Sequence, residues 1–222
     1  MNCYTINRTS TVPVLDGDWD GPIWGDTPPL DVDIFHEKGS DHRPKTQAKL
    51  LYDDADIYAI FRVEDRYVRC VDTKRNGSMC ADSCVEFFIE PVAGRGYFNT
   101  EINCGGTPLV HYNAQSASNR YDPVKMDDAR MDKIKIYHSL PEVVEPEIAD
   151  PTTWLIEFSV PYDVFEAFVG PIVRHPGTIW RANLYKCGDR TSHPHWAMWN
   201  PIPGELGFHK PEHFAPLHCG SD

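Results

Sequence analysis

The sequence predicts an all-β fold of two packed antiparallel sheets with one short helix, and three observations carry that reading. Nineteen prolines and fifteen glycines cut the 222 residues into short segments, as expected for strands joined by turns. Within those segments, apolar and polar residues alternate with period two. An apolar fraction of 41% supplies material for a substantial core, and a sandwich of this length is commonly one domain. Residues 1–222 are therefore read as a single domain.

Taken in order, Gln47 to Tyr52, the turn Asp53-Asp54-Ala55-Asp56, and Ile57 to Val63 form a hairpin. Both arms are apolar at nearly every position, which predicts a central pair covered on both sides. Strands follow at Val68 to Val71, Cys84 to Glu90, Tyr97 to Asn103 and Leu109 to Tyr112. Four more are expected at Ile134 to His138, Trp154 to Val160, Ile179 to Lys186 and Trp196 to Trp199. Phe214 to Cys219 reads as a closing edge strand, and Tyr162 to Val169, after Pro161, as the one helix. Residues 113–133 are polar and turn-rich, a long excursion of the kind that is often functional. Trp24 and Trp154 sit in the apolar pattern as core anchors.

Charge and cysteine content narrow the partners. Lys and Arg number 21 against 33 Asp and Glu, a net charge of −12, which argues against nucleic acid, because phosphate binding needs a basic surface. No apolar run approaches membrane-spanning length, so no membrane partner is expected. The first residues lack the basic-then-apolar pattern of a secretion signal, so the chain as read is cytoplasmic, or extracellular or periplasmic had a signal been removed. The seven cysteines, at 3, 70, 80, 84, 104, 187 and 219, cannot all pair, and no C-x-x-C occurs. The spacing gives little support to a zinc cage, and reduced, mostly buried thiols are expected.

The functional signal lies in Asp82 to Pro91 and Tyr97 to Asn103. Alternation points Val85, Phe87, Ile89, Phe98 and Ile102 inward and lines up Glu86, Asn99, Glu101 and Asn103 on the other side. The strand Ile179 to Lys186 likewise groups Arg181, Asn183 and Tyr185. Side by side, these faces collect carboxylates, a guanidinium and amides, groups that make charge-assisted bonds to vicinal hydroxyls. The competing reading is a solvated charge network of little energetic worth. Trp196 and Trp199, three apart and flanked by prolines, offer stacking platforms for sugar rings or else cover the end of the core. Phe208 adds another exposed-looking aromatic.

Other chemistries fit the same residues less well. Glu86 and Glu101 could serve glycoside hydrolysis, which needs one carboxyl kept protonated, whereas a neighbouring Arg181 would lower both. Cys187 as a nucleophile requires His193 or His195 beside it. The pairs His193/His195 and His209/His213 are weak metal signals.

Leu15-Asp16-Gly17 leading to Trp24, then Ala48 to Asp53 with Ile57 to Asp65, resembles the opening of a carbohydrate-binding module of family 9. Asp82-Ser83-Cys84-Val85-Glu86-Phe87-Phe88-Ile89 is similar to that family's D-S-V-E-I-F-I-D strand with one residue inserted, and Lys210 to Leu217 to its closing D-P-S-K-F-G-N-L stretch. The resemblance runs from about residue 12 to 219. It implies an immunoglobulin-like or jelly-roll β-sandwich that binds the reducing-end sugars of plant polysaccharides, often with structural calcium and usually attached to glycoside hydrolases. Glu86 falls on a ligand-binding glutamate of the family. The family's two tryptophan platforms fall at Met79 or Cys80 and at Phe208, and Glu101 stands where an arginine is expected. Strand alternation and the resemblance together give an expected ligand-binding set of Met79, Glu86, Glu101, Asn103, Arg181, Asn183, Tyr185, Trp196, Trp199 and Phe208. The function expected is non-catalytic binding of a neutral oligosaccharide. Related sandwich domains of cytochrome type hold a b-haem, which here would need Met79 with Lys186 or His195.

Overall fold

The computed structural model describes residues 2–114 and 123–221, so residues 115–122 of the expected excursion lie outside the described residues. In chain order the strands begin with β1 (Tyr4–Arg8), β2 (Leu30–Asp31), β3 (Ile34–Phe35), β4 (Lys45–Tyr52), β5 (Asp56–Asp65), β6 (Val68–Cys70), β7 (Cys84–Glu90) and β8 (Tyr97–Asn103). They continue with β9 (Pro108–Asn113), β10 (Val124–Lys125), β11 (Lys135–His138), β12 (Val144–Ile148), β13 (Thr152–Pro161), β14 (Ile179–Cys187), β15 (Trp196–Met198) and β16 (Ala215–Cys219). Helix α2 (Tyr162–Val169) occupies the residues expected for it. A second helix, the single turn α1 (Asp128–Met131), is fixed by the Asp127 side chain accepting from the Arg130 amide. Among the described residues no helix is long and apolar enough to cross a membrane.

Apart from β6 and β12, which pair only with each other, the strands join one hydrogen-bonded network that curls into a sandwich. One layer runs β10-β9-β8-β7-β14-β16 and the other β4-β5-β13-β11, with β1 joining them. Tyr4 and Ile6 of β1 register with Leu217 and Cys219 of β16, while Asn7 and Arg8 register with Leu51 and Tyr52 of β4. Both pairings are parallel, so the sheets are not wholly antiparallel. For the same reason β16 is not an edge strand: β1 covers the side that β14 leaves free. Alternation identifies a strand but not its neighbours, and β1 has only Tyr4 and Ile6 as apolar members.

Val85, Phe87, Ile89, Phe98 and Ile102 all point into the main core, with Trp154 and Trp180. The β4–β5 pair is covered on both sides, as its double apolar pattern requires. Ala48, Leu50, Ala59 and Phe61 face the core, while Leu51, Tyr58 and Ile60 pack beneath Trp19 and Trp24. Trp24 is tied down by Glu157, whose Oε1 accepts from the indole at 2.8 Å while Oε2 accepts from the amides of Asp16 and Gly17. Gly17 has φ +76°, and a Cβ there would sit 2.3 Å from the Tyr137 ring, so only glycine fits.

The outer face of β7, β8 and β14 is not open to solvent. Every residue of β7 and β8 is buried. Phe88, Tyr97, Leu109 and Tyr185 interleave with the polar residues there, and the chain after β14 folds over them with Met198, Ile202, Phe208 and Phe214. Burying each large apolar side chain contributes roughly 1.5–3 kcal/mol, more than the roughly 0–1 kcal/mol of a solvated ion pair. The cover wins, and a second core forms outside the sheet.

Candidate functional site

The period-two face exists as the sequence implies. Glu86 of β7 lies directly opposite Glu101 of β8 and Tyr185 of β14, and Cys84 lies opposite Asn103 and Cys187. Where the outer cover is incomplete, a pocket of about 210 Å³ remains. Its lining includes Glu86, Glu101 and Cys187 from the strands, Cys80 and Asp189 from turns, and Trp196, Leu206, Gly207, Phe208 and His209 from the covering segment. Two other hollows, of about 390 Å³ each, do not combine paired carboxyls with an aromatic wall.

Phe208 is held by stacking on Tyr185, with ring centroids 4.0 Å apart and planes 10° off parallel, and its carbonyl accepts from the Tyr185 hydroxyl at 3.2 Å. Trp196 is oriented by its indole N–H donating to Asp189 Oδ1 at 2.7 Å. His209 Nδ1 is hydrogen-bonded to the Tyr97 hydroxyl at 2.8 Å. Glu86, Glu101, Phe208 and Trp196 thus meet at one opening. Cys80, rather than Met79, is the lining residue at the place left ambiguous by the resemblance.

The remaining expected site residues serve the fold. Met79 is fully buried in the outer core, within a 3-10 turn, Met79–Ala81. Asn183 Oδ1 accepts from the amides of Leu184 and Asn200, its Nδ2 donates to the Asn200 carbonyl, and the side chain is fully buried away from the pocket lining. Asn103 donates to the Asp72 carbonyl and to Asp82 Oδ2 and accepts from the Thr107 amide. Tyr185 lies beneath Phe208, and Trp199 packs into the main core. Arg181 pairs with Glu90 at 3.0 Å and donates to carbonyls of Pro211 and Phe214, pinning the closing segment.

That placement overturns the expectation that Arg181 lowers both glutamates. Burial first, and then the Glu101 charge, pushes Glu86 well above the usual carboxylate range, against a smaller opposing effect of its bond from Cys187. Burial raises Glu101 to about 7, with the Asn99 amide bond at 2.8 Å working the other way. Two carboxyls sharing a desolvated site cannot both ionise cheaply. The upward shift favours the protonated, donating form of Glu86, while Glu101, at about 7, is close to half-ionised near neutral pH and is the better acceptor of the two. Among the described residues no Lys or Arg lines the pocket.

The less favoured chemistries lose their geometry. Lys186 and His195 lie on the core side of β14, where Lys186 Nζ meets His195 Nε2 at 2.7 Å and Asp65 Oδ2 at 3.5 Å. They do not face Met79, so no haem ligand pair forms, and neither His195 nor His193 reaches Cys187, whose thiol donates to Glu86 Oε1 at 3.1 Å. His193 stacks on Tyr67 and His195 Nδ1 bonds the His193 carbonyl, so they do not form a metal pair. His209 and His213 do not converge with a third ligand among the described residues either. Nor do three carboxylates meet at a point there. The donor set that does converge is Cys84, Glu86 and Cys187, the wrong chemistry for structural calcium, which takes oxygen ligands.

Two members of the pocket lie outside the expected ligand-binding set: Cys187, weighed only as a nucleophile, and Asp189. Cys187 continues the alternation of Asn183 and Tyr185, and Cys84 stands two residues before Glu86.

Comparison with known proteins agrees with this architecture. The profile of carbohydrate-binding family 9 matches residues 28–219. A candidate carbohydrate-binding protein of Bacteroides uniformis superposes with a TM-score of 0.84 at 23% identity, covering 98% of each chain. A family 9 carbohydrate-binding module of Caldicellulosiruptor kristjanssonii solved with glucose gives a TM-score of 0.65 at 13% identity, over 100% of this chain and 97% of that one. The same organism's module solved with cellotriose gives 0.68 at 13% identity, over 100% and 95%. No curated protein matches the chain.

Proposed function

This chain belongs to carbohydrate-binding family 9, and we propose that it holds the terminal, reducing-end ring of a neutral plant-type oligosaccharide without transforming it, in the service of polysaccharide breakdown. The observation that carries this reading is the pairing of Glu86 and Glu101 on the floor of a pocket walled by Phe208 and Trp196. A protonated carboxyl beside one that accepts suits vicinal hydroxyls, each both donor and acceptor. An aromatic wall suits the C–H face of a pyranose. The small volume favours one ring over a run of several.

The experiment is calorimetric titration with cello- and xylo-oligosaccharides. Binding between roughly millimolar and micromolar is expected. Phe208→Leu and Glu86→Gln should each weaken it about 2–10-fold, the worth of one aromatic or hydrogen-bond contact. Silence of the wild-type protein across both series would overturn the reading.

Hydrolysis by Glu86 and Glu101 is the second reading, favoured by the raised carboxyl of Glu86. Binding is preferred because the two are cross-strand neighbours on one wall, whereas hydrolysis needs carboxyls flanking the scissile bond. Sugar release by pure protein, abolished in Glu86→Gln, is what the second reading requires.

A further inference from the structure

One edge of the sugar pocket is built from a different kind of donor. Cys84 and Cys187 are register partners on β7 and β14, and Glu86 lies two residues along on the same face. One ligand atom from each, two thiol sulfurs and a carboxylate oxygen, lie within 4.8 Å of one another. Cys187 already contacts Glu86 Oε1 at 3.1 Å. All three residues are buried, yet Glu86 and Cys187 also line the pocket, so the cluster is reached from solvent on one side.

We propose that Cys84, Cys187 and Glu86 form a three-ligand site for one thiophilic divalent cation of the zinc type, with its remaining coordination position turned to the pocket. Two thiolates and a carboxylate are a ligand set for zinc and a poor one for calcium or magnesium. Zinc–sulfur and zinc–oxygen bonds of about 2.3 and 2.0–2.2 Å put tetrahedral ligands roughly 3.5–3.8 Å apart. The observed set lies within about an ångström of that. Three protein ligands with an open fourth position is the pattern of exchangeable sites rather than closed structural ones.

Among the described residues no side-chain cation already occupies the cluster. The nearest ammonium, Lys186, hangs from the opposite face of β14 and is bound to His195 and the Cys187 carbonyl. Packing alone explains buried thiols, but it does not call for a carboxyl set against them. A dication taking the place of the protons removes the cost of ionising the cluster. The exchange balances as one M²⁺ bound for up to about three protons released, one from each thiol and one from Glu86. Metal and sugar compete for the Glu86 carboxyl, which donates to a hydroxyl only while it keeps its proton, so the metal test is run without any sugar.

The test is anaerobic titration of the freshly reduced full-length chain with Co²⁺. One equivalent should produce the near-ultraviolet charge-transfer band of thiolate-bound cobalt, and Zn²⁺ should displace it. Calorimetry in buffers of different ionisation enthalpy should report two to three protons released per ion, within about half a proton. Cys187→Ala should weaken Co²⁺ binding by more than the roughly 10–100-fold typical of losing an outer-shell partner, and Glu86→Gln should weaken it about tenfold. X-ray absorption at the zinc edge of the wild-type protein should count two sulfur neighbours, which decides the matter even where Cys187→Ala fails to fold. Absence of the band, Co²⁺ affinity undiminished in a folded Cys187→Ala protein, or a sulfur count other than two would each overturn the assignment.

Discussion

Replacing Glu101 with Gln separates the cost of the buried carboxyl pair from everything else in the fold. Glu101 is raised from 4.5 to about 7, chiefly by burial. A carboxyl whose pKa is higher folded than unfolded binds its proton more tightly in the native state. The stability it contributes is therefore full below about pH 4.5 and is lost as the pH climbs to about 7. That gap corresponds to about 3 kcal/mol. Gln keeps the acceptor for Asn99 Nδ2 but cannot ionise, and it also removes the second-largest influence raising Glu86. At pH 8.5 the variant should be more stable than wild type by about 3 kcal/mol, a melting rise of roughly 6–12 °C for a chain of this size. At pH 4.5 the two should coincide. The acid-side loss from His195, held neutral down to about pH 3 mainly by burial, is common to both proteins and cancels in the difference. Urea denaturation followed by circular dichroism across this pH range gives the two profiles. Parallel profiles, with no gap opening between pH 4.5 and 7, would refute the claim that Glu101 is buried without a compensating cation.

Two further substitutions probe residues whose polar chemistry serves the fold. Lys186→Met removes the buried ammonium facing Asp65, which keeps its bonds with His42 and Trp154, and should cost about 3 kcal/mol by denaturant unfolding, since breaking one side of a buried pair leaves the other undercompensated. Asn183→Ala leaves two amides and a carbonyl without their buried partner. A loss of about 3 kcal/mol is expected, with oligosaccharide affinity unchanged by calorimetry. A large drop in affinity in an Asn183→Ala protein that still folds would mean that the amide reaches the ligand after all.

Much of the fold was legible because period-two alternation reports directly which way a strand residue points. Val85, Phe87 and Ile89 go inward and Glu86 outward for that reason alone. The same rule bears on the tryptophans. Residues three apart in an extended run fall on opposite faces, and Trp199, just past β15, enters the core while Trp196 meets the pocket. Alternation is silent about what later lands on a face. The outer cover comes from residues more than ten positions beyond β14, and its apolar members are scattered among prolines and glycines with no period to reveal them. Register was equally hidden. Arg181 stands opposite Glu90 and not opposite Glu86, and a shift along the strand would have changed the charge of the pocket.

That register has a consequence for the chemistry of the pocket. β14 sends Tyr185 and Cys187 outward and Lys186 inward, so the strand separates a buried cation from a group of buried acids. Inside, burial works against the Asp65 carboxyl, yet Lys186, His42 and Trp154 together hold it well below the usual carboxylate range. Outside, Lys186 draws Glu86 and Cys84 downward across the strand, but too weakly to offset their burial. The two faces of one strand thus push carboxyls in opposite directions, toward ionisation in the core network and toward protonation at Glu86. An ammonium or guanidinium facing the pocket would have ionised both glutamates and made the floor a uniform acceptor. With the cation held on the far side, the floor can donate at Glu86 and accept at Glu101, which is the pairing that two adjacent hydroxyls on a sugar ring require.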